Sequence, residues 1–248
     1  MKEKDDKPIL LIMPDIHGRT FWLTATRAYP GLPVIFLGDY LDPYTRYEGI
    51  LPGDALDNFK AILDFKRANM DSVTLLLGNH DIHYFEKDIN CSRKDKERYE
   101  EIHQLFSEAL PLFRLAATAS TAGRVFLFTH AGVDLGWLRS RMPEVDAGDV
   151  AQLCSSLNSK LATDYSLCHF IFNGLMDVTP SRWGSARHPS PVWADLSDHQ
   201  HAQESMTGVF QIFGHTMQKS SPVFTEQYAC LDCRKPFLLT SKGKIVEA

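Results

Sequence analysis

Pro33-Val34-Ile35-Phe36-Leu37-Gly38-Asp39-Tyr40-Leu41-Asp42 is the stretch on which the reading of this chain turns. Its apolar half reads as a buried strand. Its second half delivers two carboxylates, Asp39 and Asp42, into the loop beyond. In α/β architectures, ligands gather in loops past the carboxyl ends of strands. One Gly-Asp also marks an ordinary turn, so repetition has to decide. Leu10-Leu11-Ile12-Met13 runs into Asp15-Ile16-His17-Gly18, and Val73-Thr74-Leu75-Leu76-Leu77 into Gly78-Asn79-His80-Asp81. Val125-Phe126-Leu127-Phe128 runs into Thr129-His130-Ala131-Gly132, and Val209-Phe210-Gln211-Ile212-Phe213 into Gly214-His215-Thr216. Each apolar run empties into a short cluster of Asp, Asn or His.

A chain of 248 residues suits one domain, expected over 1–248, with a helical region at about 134–176 bordering a cleft. Hydrophobic content of 44% and charged content of 23% are ordinary for a soluble globular protein. A net charge of −5 argues against a nucleic-acid binder working through a global basic field, so no nucleic-acid partner is expected. No apolar stretch approaches the ~20 residues of a membrane span. Residues 1–7 are charged and lack a signal-peptide core, which points to the cytoplasm. Five cysteines are an odd number for a disulfide framework. Cys230-Leu231-Asp232-Cys233 has no second ligand pair for zinc, so both cysteines read as structural thiols.

Spacing predicts a helix over 21–29 capped by Thr20, and a second, capped by Asp54, ending near Asn69. Residues 87–110 read as a charged mobile loop and then a helix, with 112–119 and 125–128 a hairpin around Ala122-Gly123. Helical patterns follow over 134–161 and 165–176, then a long loop over 180–191. Trp193 reads as a packing anchor, and 198–205, carrying His199 and His201, as a solvated loop. His83 is assigned no role. The apolar runs after residue 222 are expected to complete a second sheet.

The ordered set Asp15-x-His17, Gly38-Asp39-x-x-Asp42, Gly78-Asn79-His80-Asp81, His130-Ala131-Gly132 and Gly214-His215-Thr216 resembles the calcineurin-like metallophosphoesterase superfamily. Gly38-Asp39-Tyr40-Leu41-Asp42 and the later Trp193-Ala194-Asp195 are most similar to bacterial relatives of the phosphoprotein (Ser/Thr) phosphatase branch. The resemblance implies an α/β fold, a four-layer α/β/β/α sandwich of two mixed sheets. It implies that Asp15, His17 and Asp39 hold one metal ion, and that Asp39, Asn79, His130 and His215 hold another. It makes His80 the general acid, oriented by Asp42, with Asp81 in support.

Such ligands suit Mn²⁺ first, with Fe or Zn²⁺ next. Two ions would acidify a bridging water for attack on phosphorus. The expected activity is a metal-dependent phosphoesterase acting on phosphomonoesters, whether phosphoprotein or small molecule. A dinucleoside polyphosphate such as diadenosine tetraphosphate is the rival substrate, and a scaffold that only binds partners is the third reading. Pro43 departs from the family, which usually places a phosphate-gripping Arg there. Arg187 is the first candidate to replace it, with Arg182, Arg19 and Arg46 behind.

Overall fold

The computed structural model describes residues 6–85, 87, 89, 91–161, 174–202 and 204–248. β1 (Pro8–Met13) leads through α1 (Phe21–Ala28) to β2 (Val34–Phe36). α2 (Thr45–Glu48) and α3 (Pro52–Ala68) lead on to β3 (Val73–Leu76), followed by α4 (Asn79–Ile82), α5 (Tyr99–Ala109) and β4 (Phe113–Arg114). β5 (Ala116–Thr121) and β6 (Arg124–Thr129) form a hairpin, then come α6 (Leu135–Arg141), α7 (Val150–Ser159), α8 (Leu196–Gln200) and β7 (Val209–Phe213). β8 (Val223–Phe224), β9 (Tyr228–Cys230), β10 (Phe237–Thr240) and β11 (Ile245–Glu247) are the remaining strands described.

These strands make two mixed sheets, ordered β11-β10-β1-β2-β3-β4 and β5-β6-β7-β9-β8. The two-residue alternation of strands builds the layers. Ile12, Ile35 and Leu76 of the first sheet meet Phe126, Phe128, Phe210 and Ile212 of the second in a core between them. Their neighbours Leu11, Met13, Phe36 and Leu75 face the other way, into a core shared with Leu56, Phe59 and Ile62 of α3 and Phe106 of α5. Leu127 and Val209 turn outward on the second sheet, which α7 covers with Leu153 and Leu157. The result is the expected helix–sheet–sheet–helix sandwich.

Several local expectations change. Thr20 makes no side-chain cap bond. α3 starts at Pro52, whose fixed φ suits a first helical position, and Asp54 instead accepts from the Leu51 N–H. The run 112–119 is split between sheets: Phe113–Arg114 pairs with β3, and Ala116 onward pairs with β6. The hairpin turn itself falls at Ala122-Gly123, both at positive φ (53° and 74°), as a tight β-hairpin requires. The 134–161 pattern is two helices, each starting on an aspartate: Asp134 accepts from Trp137 N–H and Asp149 from Gln152 N–H. Most of 165–176 lies outside the described residues.

Part of 198–205 is α8 rather than solvated loop. His199 packs its ring on Phe213 and Tyr228, and its Nε2 reaches Ala131 O at 2.8 Å. Only β8 and β9 join the second sheet; β10 pairs antiparallel with β1, and β11 with β10. The reason is apolar on both faces: Phe237 and Leu239 fill the core between the sheets, while Leu238 faces the helix side. Such a strand covers the otherwise open edge of β1.

Candidate active site

Asp15 and His17 follow β1, Asp39 and Asp42 follow β2, and Asn79 and His80 open α4 just after β3. His130 follows β6 and His215 follows β7. β1, β2 and β3 are parallel, as are β6 and β7, so within each sheet these strand ends share one edge. His17, Asp39, Asp42 and His215 all hold positive φ (42°, 54°, 58° and 62°). Left-handed backbone costs a non-glycine residue roughly 1–3 kcal/mol, so the surroundings must enforce it. His215 N–H donates to both oxygens of Asp15 (2.9 and 3.1 Å), and His80 N–H to Asp39 Oδ1 (3.0 Å). Buried Asp81 accepts from the N–H groups of Asp39, Tyr40 and Gly78 at 2.8–3.0 Å, clamping the ends of β2 and β3 together. A Cβ on Gly38 would lie 2.6 Å from Gly78 N, so only glycine lets these two ends approach.

The imidazole tautomers follow from their partners. His130 Nδ1 must donate to Leu37 O (2.8 Å), because a carbonyl only accepts. In the neutral ring the lone pair is then on Nε2. It faces Asn79 Oδ1 at 3.0 Å, His215 Nδ1 at 3.2 Å and Asp39 Oδ1 at 3.6 Å. His17 Nδ1 likewise donates to Leu41 O (2.7 Å), which turns its bare Nε2 toward Asp39 Oδ2 at 3.5 Å. Buried acceptors thus converge on one another, and His215 Nε2 has no partner among the described residues. Burial holds the Asp15 carboxyl above its ordinary range and Asp39 well above it, the charge of Asp15 adding to the latter. Burial also pushes His17 and His215 well below theirs. A shell of lone pairs with too few donors is what a cation satisfies, and a cation would favour both the ionised carboxylates and the neutral imidazoles. The residues present therefore fit a metal centre.

At the rim, His80 Nδ1 lies 2.6 Å from Asp42 Oδ2, and Tyr84 donates to Asp42 Oδ1 at 2.5 Å. Burial raises Asp42 to about 6 and, with the Arg93 guanidinium, pushes His80 well below its usual value. Cys91 Sγ sits 3.5 Å from Asp42 Oδ2. Arg93 Nε donates to Asp42 O (2.8 Å), its guanidinium stacks 3.8 Å from the Tyr44 ring centroid, and its Nη2 is 3.3 Å from His80 Nε2.

The candidate arginines are placed variously, and Arg19 is beside the site, its Nη1 donating to Asp15 O at 3.2 Å. Arg19 forks onto Glu48 through two bonds of 2.8 Å. Arg182 pairs with Asp195 at 2.9 Å, near enough to act electrostatically on His80 and His215. Arg187 lines a cavity with Arg139, His188 and His201 that no candidate ligand lines. Arg46 lies over the exposed Tyr47. Arg93, buried in a charged run with no motif around it, carried no sequence signal. Asp232 did carry one: Tyr228-Ala229-Cys230-Leu231-Asp232 repeats the strand-then-acid pattern, behind the distraction of the C-x-x-C. His83 and Trp193 are neighbours of the site, with ring centroids 5.4 Å apart, and His83 Nδ1 has no partner among the described residues. Cys230 and Cys233 are free and buried.

The family model described as calcineurin-like phosphoesterase matches residues 10–218, and the chain belongs to that family. It is a member of a group of phosphoester hydrolases that includes metal-dependent phosphatases. A solved cold-active protein tyrosine phosphatase superposes with a TM-score of 0.60 at 14% identity, over 97% of this chain and 78% of its own. A cold-active protein-tyrosine phosphatase of a psychrophilic Shewanella species gives 0.56 at 15% identity, over 97% and 80%. A protein serine/threonine phosphatase from Saccharomyces cerevisiae gives 0.52 at 15%, over 93% and 72%. These likenesses are likenesses of fold. No curated protein matched the chain by sequence. No helix among the described residues is long and apolar enough to cross a membrane.

Proposed function

We propose that this chain is a phosphomonoesterase that works with two metal ions. The observation that carries the reading is one constellation: a buried shell of acceptors with the Asp42–His80–Arg93 group at its edge. Asp15, His17 and Asp39 would hold one ion, and Asp39, Asn79, His130 and His215 the other. Support for two comes from Asp39, whose Oδ2 faces His17 Nε2 at 3.5 Å while its Oδ1 faces His130 Nε2 at 3.6 Å. Imidazole, carboxylate and amide oxygen without thiolate favour Mn²⁺, then Fe or Zn²⁺. Bound there, the ions supply positive charge for the phosphoryl oxygens and lower the pKa of water.

The side chains do the rest. Arg93 offers an Nη2 beside His80 Nε2, so one phosphate group can meet the guanidinium and the imidazole together. Arg93 fills from another loop the role that Pro43 leaves open. In the substrate-free protein burial and Arg93 keep His80 neutral. An arriving phosphate dianion offsets the Arg93 charge and lets His80 carry a proton on Nε2. Asp42 takes the Nδ1–H and holds the ring so that this proton goes to the leaving oxygen.

A cavity of about 350 Å³ opens beside Arg93, lined by Pro43, Tyr44, Arg46, Tyr47 and Pro52. No acidic side chain among the described residues lines it. Rings and guanidinium planes next to a phosphate-holding arginine suit an ester whose oxygen bears an aromatic ring. We therefore favour aryl phosphates, phosphotyrosyl side chains among them, over alkyl esters and over dinucleoside polyphosphates.

Metal-stripped protein reloaded with Mn²⁺, Fe²⁺, Zn²⁺ or Mg²⁺ should be offered p-nitrophenyl phosphate, phosphotyrosyl and phosphoseryl peptides, and diadenosine tetraphosphate. Metal-dependent turnover that collapses in Asp39→Asn and His80→Ala is expected, fastest on the aryl esters. No turnover with any metal, or turnover indifferent to Asp39, would sink the mechanism in favour of a binding scaffold.

A further inference from the structure

One buried acid belongs to none of the roles above. Asp232 is 3% exposed, and its Oδ1 has no partner among the described residues. An unpaired carboxylate in the interior is strongly unfavourable, so something must compensate it. Its position narrows what that is. β7 and β9 run parallel with Phe213 opposite Cys230, and Leu231 N–H donates to Phe213 O at 2.8 Å. Asp232 lies two residues past the end of β9, as His215 lies two residues past the end of the adjacent β7. The same peptide is gripped by Asp15, and a Cβ on Gly214 would collide with Asp15 Oδ1. Asp232 thus arrives at the edge where Asp15 and His215 already sit.

The charges around it are unbalanced. Asp15 and Asp39 act on Asp232 as like charges, and the guanidiniums of Arg19 and Arg234 oppose them. Both of those guanidiniums are ion-paired to Glu48 at 2.8 Å. Three buried carboxylates and Glu48 therefore share one corner with two guanidiniums, too few to balance them.

We infer that Asp232 is a further anionic side chain of the cation site built by Asp15, His17 and Asp39, and that it sets how tightly a divalent cation is held there. The inference rests on the reading of that site as a metal centre. It makes two demands that a structural role does not. Removing the charge must weaken cation binding, and it must relieve the metal-free protein.

The experiment is calorimetric titration of the metal-free full chain with Mn²⁺, beside thermal unfolding without metal. The wild type is compared with Asp232→Asn, Asp232→Glu and, as a control on an exposed loop, Glu226→Gln. Asp232→Asn should lower Mn²⁺ affinity roughly 10–100-fold, the usual effect of losing a supporting partner at a metal site. Its metal-free form should melt at or above the wild-type temperature. Asp232→Glu, which keeps the charge, should retain affinity better, and Glu226→Gln should change neither quantity. Unchanged Mn²⁺ affinity in Asp232→Asn, with the wild type binding normally, overturns this inference alone. A metal-free Asp232→Asn that melts lower, or fails to fold, also overturns it, because charge relief cannot destabilise. A wild type that binds no Mn²⁺ would instead bring down the metal-centre reading and the inference with it.

Discussion

The strand-end loops and the 87–98 loop both feed one site, and they are built by opposite means. The strand-end loops are fixed from below. The first site residue of each lies one to three residues beyond a buried strand, and Asp81 alone accepts three N–H groups from two of them. The 87–98 loop is long and charged. Among its described residues, side-chain contacts tie it to the site: Arg93 on Asp42 O and Tyr44, and Asp95 N–H on the Tyr84 hydroxyl. Where a backbone clamp places a residue, its position follows from strand topology. Where side chains place it, only the assembled fold does so. The strand-end region holds the groups proposed to bind charge, and the 87–98 loop holds the group proposed to grip substrate.

This contrast can be broken in order of expected effect. Asp39→Asn strikes the strand-end region and should abolish turnover, by about 10⁴-fold, since two cations each contribute several kcal/mol. A residual rate near wild type, measured after metal reloading, would break the comparison at its base. His80→Ala should lose ~10²–10⁴-fold on esters with poor leaving groups. The loss should shrink on p-nitrophenyl phosphate, whose leaving oxygen needs little protonation; the ratio of the two losses is the readout. Arg93→Met should leave metal affinity intact and raise KM about 10–100-fold, the worth of a charge-assisted hydrogen bond of roughly 1.5–3 kcal/mol. Arg187→Met in the same assay should change KM less than twofold. Equal effects at the two positions would show that the 87–98 loop does not supply the phosphate arginine.

Smaller still, Tyr47→Ala should cost aryl phosphates about 2–10-fold in kcat/KM and spare alkyl phosphates, in keeping with ring contacts of ~0.5–1.5 kcal/mol. The last effect appears only in acid. Burial depresses His83 to about 3, well below the ~6.5 of an unfolded chain. Above pH 6.5 the group is neutral in both states and changes nothing. As pH falls below 6.5 the unfolded chain takes up the proton first, so stability drains away until about pH 3. At pH 4 the loss amounts to roughly 3 kcal/mol. Metal-free His83→Phe, similar in size and with no ring nitrogen to protonate, should therefore unfold at lower pH than the wild type in a circular-dichroism titration.

Much of this was legible in the chain itself, for a physical reason. A strand buried on both faces must be apolar, so Val34-Ile35-Phe36 or Val209-Phe210 announces itself, and a carboxylate or imidazole just after it is conspicuous. The period-two rule then sets which strand residues face which layer. Fold class and the strand-end positions of Asp15, His17, Asp39, Asn79, His80, His130 and His215 were within reach of that logic, while the family came from the resemblance of the motifs they form. Asp232 was within reach too, and was passed over because two cysteines framed it.

Other features were decided only by tertiary structure. Nothing local says that Phe237–Thr240 leaves the second sheet to cover β1, because pairing partners are chosen by which edge lies open and apolar after the rest has folded. Nothing local says that Leu115 carries the chain from one sheet to the other. Arg93 belongs to this group: sequence spacing cannot place a side chain at the tip of a loop, and its position depends on Tyr44 and Asp42, about fifty residues earlier. The sequence by itself determined the strands and the groups they carry to their ends. Tertiary structure decided edge pairing, the placing of Arg93 beside His80 and the unpartnered oxygen of Asp232. Those depend on what is near in space, which burial and electrostatics set once the layers are closed.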